Sequence, residues 1–127
     1  MNGRKRLLIV DDEPDFAKFV AKVSSDLGYE TVTTNAAETF QAAYLAAPPD
    51  VIVLDMVMPK MDGIETVRWL VDKGCRARII IISGYNPVFG NAAQSIGEIK
   101  GRLEISQLQK PIRLSELRAV LGEILAD

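Results

Sequence analysis

The stretch Val51-Ile52-Val53-Leu54-Asp55-Met56-Val57-Met58-Pro59-Lys60-Met61-Asp62-Gly63 sets four apolar residues, with no polar alternation, directly before a carboxylate and a turn. An unbroken short apolar run reads as a strand covered on both faces, the kind found in parallel sheets. Leu7 to Val10 and Ile79 to Ile82 repeat the pattern. Tyr29 to Thr34 alternates and is rich in Thr and Val, which suits an edge strand, and Leu103 to Leu108 is a weaker fifth candidate. Helical spacing fills the gaps. Phe16, Phe19, Val20, Val23 and Leu27 recur behind Pro14 and stop at Gly28, and Leu114, Leu117, Leu121, Ile124 and Leu125 form a stripe near the C-terminus. Asn35 with Glu38, and Asp62 with Glu65, have capping-box spacing and predict the starts of helices two and three. The order is strand then helix five times over, so right-handed crossovers predict an α/β fold: a doubly wound parallel sheet with helices on both faces. The interval from Gly84 to Gly101 holds four of the nine glycines, and it predicts a fourth helix that is short or frayed.

With 127 residues and 48% hydrophobic content, the expectation is one domain spanning 1–127, without an output module. Fifteen basic residues against 17 acidic ones give −2, too balanced for a nucleic-acid partner. The single cysteine, Cys75, excludes an internal disulfide and a cysteine-built metal site. The chain has no histidine, which removes Ser-His-Asp catalysis, His-ligated zinc and any role as a phosphohistidine donor. No apolar run approaches the ~20 residues of a membrane helix, and the run behind Met1 to Arg6 is too short for export. A cytoplasmic location is expected.

Four of the five strands are succeeded by chemistry-bearing residues: Asp11 and Asp12 after the first, Asp55 after the third, Ser83 after the fourth and Lys110 after the fifth. All lie at carboxyl ends, the edge where open α/β sheets bind ligands. Taken singly, each has an ordinary explanation as a helix-dipole acid, a turn residue, a loop hydroxyl or a surface charge. Their joint occurrence at one edge favours a site. Three clustered carboxylates repel one another and one lysine cannot neutralise them, so the cluster is either well solvated or holds a divalent cation. Oxygen donors alone favour Mg²⁺ or Mn²⁺ over zinc. With Lys110 beside such an ion the pocket suits a phosphoryl group, and an aspartate can attack phosphorus to give an acyl phosphate. Ser83 would need a base that the sequence does not supply. Trp69, Phe16, Phe40, Met56, Met58 and Met61 read as packing residues.

These residues resemble the receiver domains of bacterial two-component response regulators, through Asp55 to Gly63 together with Leu7-Leu8-Ile9-Val10-Asp11-Asp12-Glu13, Ile80-Ile81-Ile82-Ser83-Gly84 and Lys110-Pro111. The resemblance implies a flavodoxin-like (βα)5 sheet of strand order 2-1-3-4-5. It implies that Asp55 is phosphorylated by the phosphohistidine of a histidine kinase or a histidine phosphotransfer protein, and that an unspecified downstream protein reads the change. It further implies that Asp12, Asp55 and the backbone carbonyl of Val57 ligate Mg²⁺, with Asp11 acting mainly through metal-bound water. Lys110 is implied to pair with the phosphoryl oxygens or Asp55, Ser83 to swing toward the phosphoryl group, and the Lys110-Pro111 bond to be cis. The chain is then a phosphoacceptor switch and not an enzyme in the ordinary sense, its catalysis being self-directed phosphotransfer and autodephosphorylation.

Other readings stay open. A flavin-binding protein would offer Gly, Ser or Thr donors after strand one, where this chain has Asp11-Asp12-Glu13-Pro14-Asp15. An aspartate-dependent phosphatase typically keeps an acid two residues past its nucleophile, where this chain has Val57. A shuttle passing the phosphoryl group to a histidine phosphotransfer protein, and a receiver excised from a larger kinase or transcription factor, are the remaining alternatives. Three departures from the family pattern stand out. Gln107 occupies a position often taken by Tyr or Phe. The interval from Ser83 to Lys110 looks longer than usual by about one helical turn. Val57 and Tyr85 flank the approach of water to Asp55, and neither orients water, so slow autodephosphorylation is expected. The first two departures lead us to expect an altered or partly disordered face at helix four and strand five.

Overall fold

The computed structural model describes residues 3–84 and 86–127. The three apolar runs become the inner strands β1 (Arg6–Val10), β3 (Val51–Asp55) and β4 (Arg78–Ser83) of a parallel sheet. The alternating segment becomes an edge, β2 (Glu30–Thr34), and β5 (Ile105–Gln109) forms the other edge, in the order β2-β1-β3-β4-β5. The crossovers are α1 (Pro14–Leu27), α2 (Ala37–Ala46), α3 (Gly63–Asp72), α4 (Val88–Gly101) and α5 (Leu114–Ala126). No helix is long and apolar enough to cross a membrane among the described residues.

Side chains on a strand alternate between faces, so each apolar run feeds two cores at once. Leu8, Val10, Ile52, Leu54, Ile79 and Ile81 pack with Phe40, Tyr44, Val67, Leu70 and Ala93 from α2, α3 and α4. Leu7, Ile9, Val51, Val53, Ile80 and Ile82 pack with Val20, Val23, Leu117, Leu121 and Ile124 from α1 and α5. The same alternation places the polar residues at the strand ends. Val10 is level with Leu54, so Asp11 and Asp55 extend the rows Leu7-Ile9 and Val51-Val53 on the same face, at adjacent positions of the carboxyl edge.

Helix starts follow local chemistry only in part. Pro14 opens α1 and Gly28 closes it at φ 107°, as the pattern predicts. Asp62 caps α3 by accepting from the N–H groups of Ile64 and Glu65. Asn35 does not cap α2: the cap position falls on Ala36, one residue later, with no side-chain hydrogen bond. At α5 the Glu116 carboxylate accepts from the Arg113 N–H at 3.1 Å. Strand β5 begins two residues later than expected, because Leu103 closes the end of α4 with its N–H on the Gly97 carbonyl at 3.0 Å.

The fourth helix corrects the expectation of a short or frayed segment, since it runs for 14 residues. Its glycines are there for close approach. A Cβ at Gly97 would lie 2.5 Å from Ile105 Cδ1 and 3.3 Å from Val67 Cγ1, one at Gly101 2.7 Å from Val71 Cγ2, and one at Gly90 2.4 Å from Gln107 Oε1. Gly90, Ala93, Gly97 and Gly101 thus form a small-residue stripe on which α4 sits against α3 and β5, and packing outweighs the roughly 1 kcal/mol that each glycine costs a helix. The face of α4 and β5 is packed through the same contacts, with Gln107 bonded to Asn91 and Gln94 of α4. Gly97→Ala is expected to lower unfolding stability by about 1 kcal/mol, overpacking outweighing the helix gain. Gly122→Ala, in α5 with open space around its Cα, should raise stability by about 0.5–1 kcal/mol. Urea unfolding of the two variants checks both signs.

Candidate functional site

Each buried aspartate at the edge uses one oxygen to hold its own loop. Asp11 Oδ1 accepts from the Glu13 N–H at 2.8 Å, and Asp55 Oδ1 accepts from the Val57 N–H at 2.9 Å. These are side-chain turns spanning two residues, and they aim the remaining oxygens in a common direction. Asp11 is 3% exposed and Asp55 1%, whereas Asp12 is open to solvent. One oxygen from each of the three lies within 4.8 Å of the others. Asp55 Oδ2 is buried and, among the described residues, has no hydrogen-bond partner.

Lys110 stands over this cluster. Its N–H donates to the Ser83 carbonyl at 2.8 Å, which ties the residue after β5 to the end of β4, and the peptide bond to Pro111 is cis as expected. Its ammonium is 3.6 Å from Asp55 Oδ2 and 2.5 Å from Glu13 Oε1, and it lies 4.6 Å from the centre of the Phe16 ring. Burial, together with the neighbouring Asp55 charge, pushes Asp11 up to about 7, although the Glu13 N–H and Lys110 pull the other way. Burial works to lower Lys110, but Glu13, Asp55 and Asp11 outweigh it and its pKa is raised. The ammonium is therefore a fixed charge at neutral pH, and Asp11 is held above the usual carboxylate range chiefly by its burial.

Ser83 is buried beside them, with Oγ directed to the Leu108 carbonyl at 3.5 Å, the outer limit of a hydrogen bond. By parity it belongs to the opposite face from Asp55, and its Cβ looks toward Gly90 of α4. Gln107 donates to Asn91 Oδ1 at 2.9 Å and Gln94 Oε1 at 3.0 Å, so a polar latch to α4 stands where an aromatic ring was the family expectation. Val57 is half exposed and touches Gly84. Tyr85 lies outside the described residues. Sequence reasoning reads Phe16 as packing and gives Glu13 no role in the site, whereas both lie against Lys110 from the start of α1. Their spacing of three across a Pro-initiated helix start is the available signal.

The residues fit a hard divalent cation: three converging carboxylates, with no nitrogen or sulfur donor in the cluster and one buried oxygen left without a hydrogen-bond partner among the described residues. Residues 7–121 match the family described as response regulator receiver domain. The chain belongs to that family. It is 29% identical over 122 residues to the chemotaxis protein CheY of Thermotoga maritima, covering 94% of this chain and 97% of that protein. It is 31% identical over 88 residues to the regulatory protein AtoC of Escherichia coli, covering 69% of this chain but only 19% of AtoC. The crystal structure of the receiver domain of NtrX from Brucella abortus superposes with a TM-score of 0.81 at 26% identity, over 94% of this chain and 98% of that one. This receiver domain is thus of the two-component signalling type, a phosphoacceptor family whose members are generally Mg²⁺-dependent and interact with histidine kinases and phosphotransfer proteins. The flavin and phosphatase readings fall with that assignment.

Carboxylate crowding should be measurable. In EDTA, Asp11→Asn is expected to raise the melting temperature of this receiver domain by about 3–5 °C, roughly 1 kcal/mol, by removing one of the repelling charges. Millimolar Mg²⁺ should raise the wild-type midpoint more than that of the variant and close the gap, as read by calorimetry.

Proposed function

We propose that Asp55 is the phosphoacceptor of this receiver domain, and that its modification switches protein binding. The observation that carries the reading is the buried, hydrogen-bond-free Oδ2 of Asp55 facing an ammonium 3.6 Å away. A carboxylate oxygen engaged by no donor keeps its lone pairs available. In the reaction Oδ2 attacks phosphorus of a phosphohistidine whose other ring nitrogen carries a proton, a P–O bond forms, the P–N bond breaks, and the imidazole departs with the electron pair as the neutral ring. The donor histidine lies outside these 127 residues, which contain none.

Asp11, Asp12, Asp55 and the backbone carbonyl of Val57 would hold Mg²⁺ or Mn²⁺, which supplies positive charge for the phosphoryl oxygens. Lys110 takes another of those oxygens. Ser83 exchanges its weak bond to the Leu108 carbonyl for one to the phosphoryl group, and its neighbour Gly90 carries that movement to α4. Gln107 remains latched to Asn91 and Gln94, so the switch works without a rotating ring. The half-exposed isopropyl group of Val57 offers no hydrogen bond to water beside Asp55, which favours a long-lived acyl phosphate and slow autodephosphorylation. The partners are a histidine kinase or histidine phosphotransfer protein upstream and a target protein downstream.

Incubation with acetyl phosphate and Mg²⁺ should add the mass of one phosphoryl group to the wild type and none to Asp55→Asn, with EDTA abolishing the gain. Equal labelling of both proteins would place the acceptor elsewhere. Val57→Gln should shorten the half-life of the phosphorylated form about tenfold, the worth of roughly one hydrogen bond to the attacking water. Decay followed by intact mass checks this.

A further inference from the structure

Lys110 has a choice of anions, and it is held by the less buried one. Its ammonium makes its short contact, 2.5 Å, with Glu13, whose side chain is 62% exposed, while the 1%-exposed Asp55 waits at 3.6 Å with an oxygen that has no hydrogen-bond partner. A charge-assisted bond to the buried carboxylate would be the stronger of the two in a low local dielectric, so something opposes it. Three contacts do. The Glu13 carboxylate pulls on the ammonium from the start of α1, the Phe16 ring lies 4.6 Å from it on the same turn, and the Lys110 N–H on the Ser83 carbonyl fixes where the side chain starts. Glu13 is itself anchored, because its N–H donates to Asp11 Oδ1. One residue therefore ties the carboxylate cluster with its backbone and the ammonium with its side chain.

We propose that Glu13 is a positioning residue that parks Lys110 away from Asp55, keeping Oδ2 open to the cation and the incoming phosphoryl group, and surrenders the lysine once Asp55 carries that group. The inference rests on the reading of Asp55 as the phosphoacceptor and adds to it a residue that acts only through Lys110. Without Glu13 the ammonium closes onto Oδ2 and competes with the cation for that carboxylate. Glu13 then favours metal loading by more than its own negative charge accounts for.

A double-mutant cycle on Mg²⁺ affinity, measured calorimetrically on the full chain, separates the two effects. In the wild-type background Glu13→Gln removes both the charge and the tether; in Lys110→Met it removes only the charge, since there is no ammonium to park. The expected result is a weakening of Mg²⁺ binding about tenfold larger in the first background than in the second. Glu13→Asp keeps the charge but is one methylene short of the ammonium, and should retain most of the weakening. Urea unfolding confirms that each variant is folded. Equal effects of Glu13→Gln in the two backgrounds, or full affinity in Glu13→Asp, would overturn the proposal by showing that Glu13 acts as a charge alone. Acetyl phosphate labelling of the same proteins is scored separately: a wild type that binds Mg²⁺ with the expected coupling but is never phosphorylated defeats the reading of Asp55 and leaves the tether standing.

Discussion

Asp55 Oδ2 is a buried carboxyl oxygen that no hydrogen bond among the described residues satisfies, and the polar chemistry of the sheet edge is arranged around that fact. Such a group is costly in a folded chain. It is tolerated because Asp55 Oδ1 is engaged by Val57, because Lys110 lies within ionic reach, and because Asp11 and Asp12 complete a donor set that a divalent cation can fill. Burial, with the Asp55 charge beside it, raises Asp11 to about 7, and the repulsion between these carboxylates favours taking up a cation. Stability is given up locally for a site whose occupants arrive from solution.

The sheet makes the crowding possible. Period-two alternation sends Leu7, Ile9, Val51 and Val53 into the core under α1 and α5, and the next residues in those two rows are Asp11 and Asp55. The register of β1 on β3 therefore sets the separation of two carboxylates as firmly as it sets the core. Lys110 comes from the far edge strand and is brought in by the backbone bond between its N–H and the Ser83 carbonyl. The opposite face of the sheet carries a different device. Ser83 and Gln107 point toward α4, where Gly90 makes room for them, so the helix most suited to report on the site is the one joined to it through missing side chains and a carboxamide latch.

How much of this is legible in the sequence depends on the range of the interaction. Five strands, five helices, the edge position of the alternating strand and the convergence of Asp11, Asp12, Asp55 and Lys110 come from short-range patterns: apolar period, Pro and Gly punctuation, and the polar residue after each strand. The length of the fourth helix escapes such patterns because local propensity counts glycine as a break, whereas Gly97 and Gly101 are needed by side chains of Ile105, Val67 and Val71 on other elements. Asn35 misses the cap position by a single residue, since the start of α2 is set by the packing of Phe40 and Tyr44 on the sheet.

Amino-acid order alone determined the class of fold and the chemical type of the site, because both depend on residues within a few positions of one another and on a sheet edge that any parallel α/β chain must have. Only the tertiary structure decided which oxygen of Asp55 lacks a hydrogen bond among the described residues, that Lys110 sits closer to Glu13 than to Asp55, and that Gln107 is tied to α4. Those outcomes are competitions between partners as many as 97 residues apart in the chain. Distances of a few tenths of an ångström and differences in burial settle them, and neither quantity exists until the strands are in register.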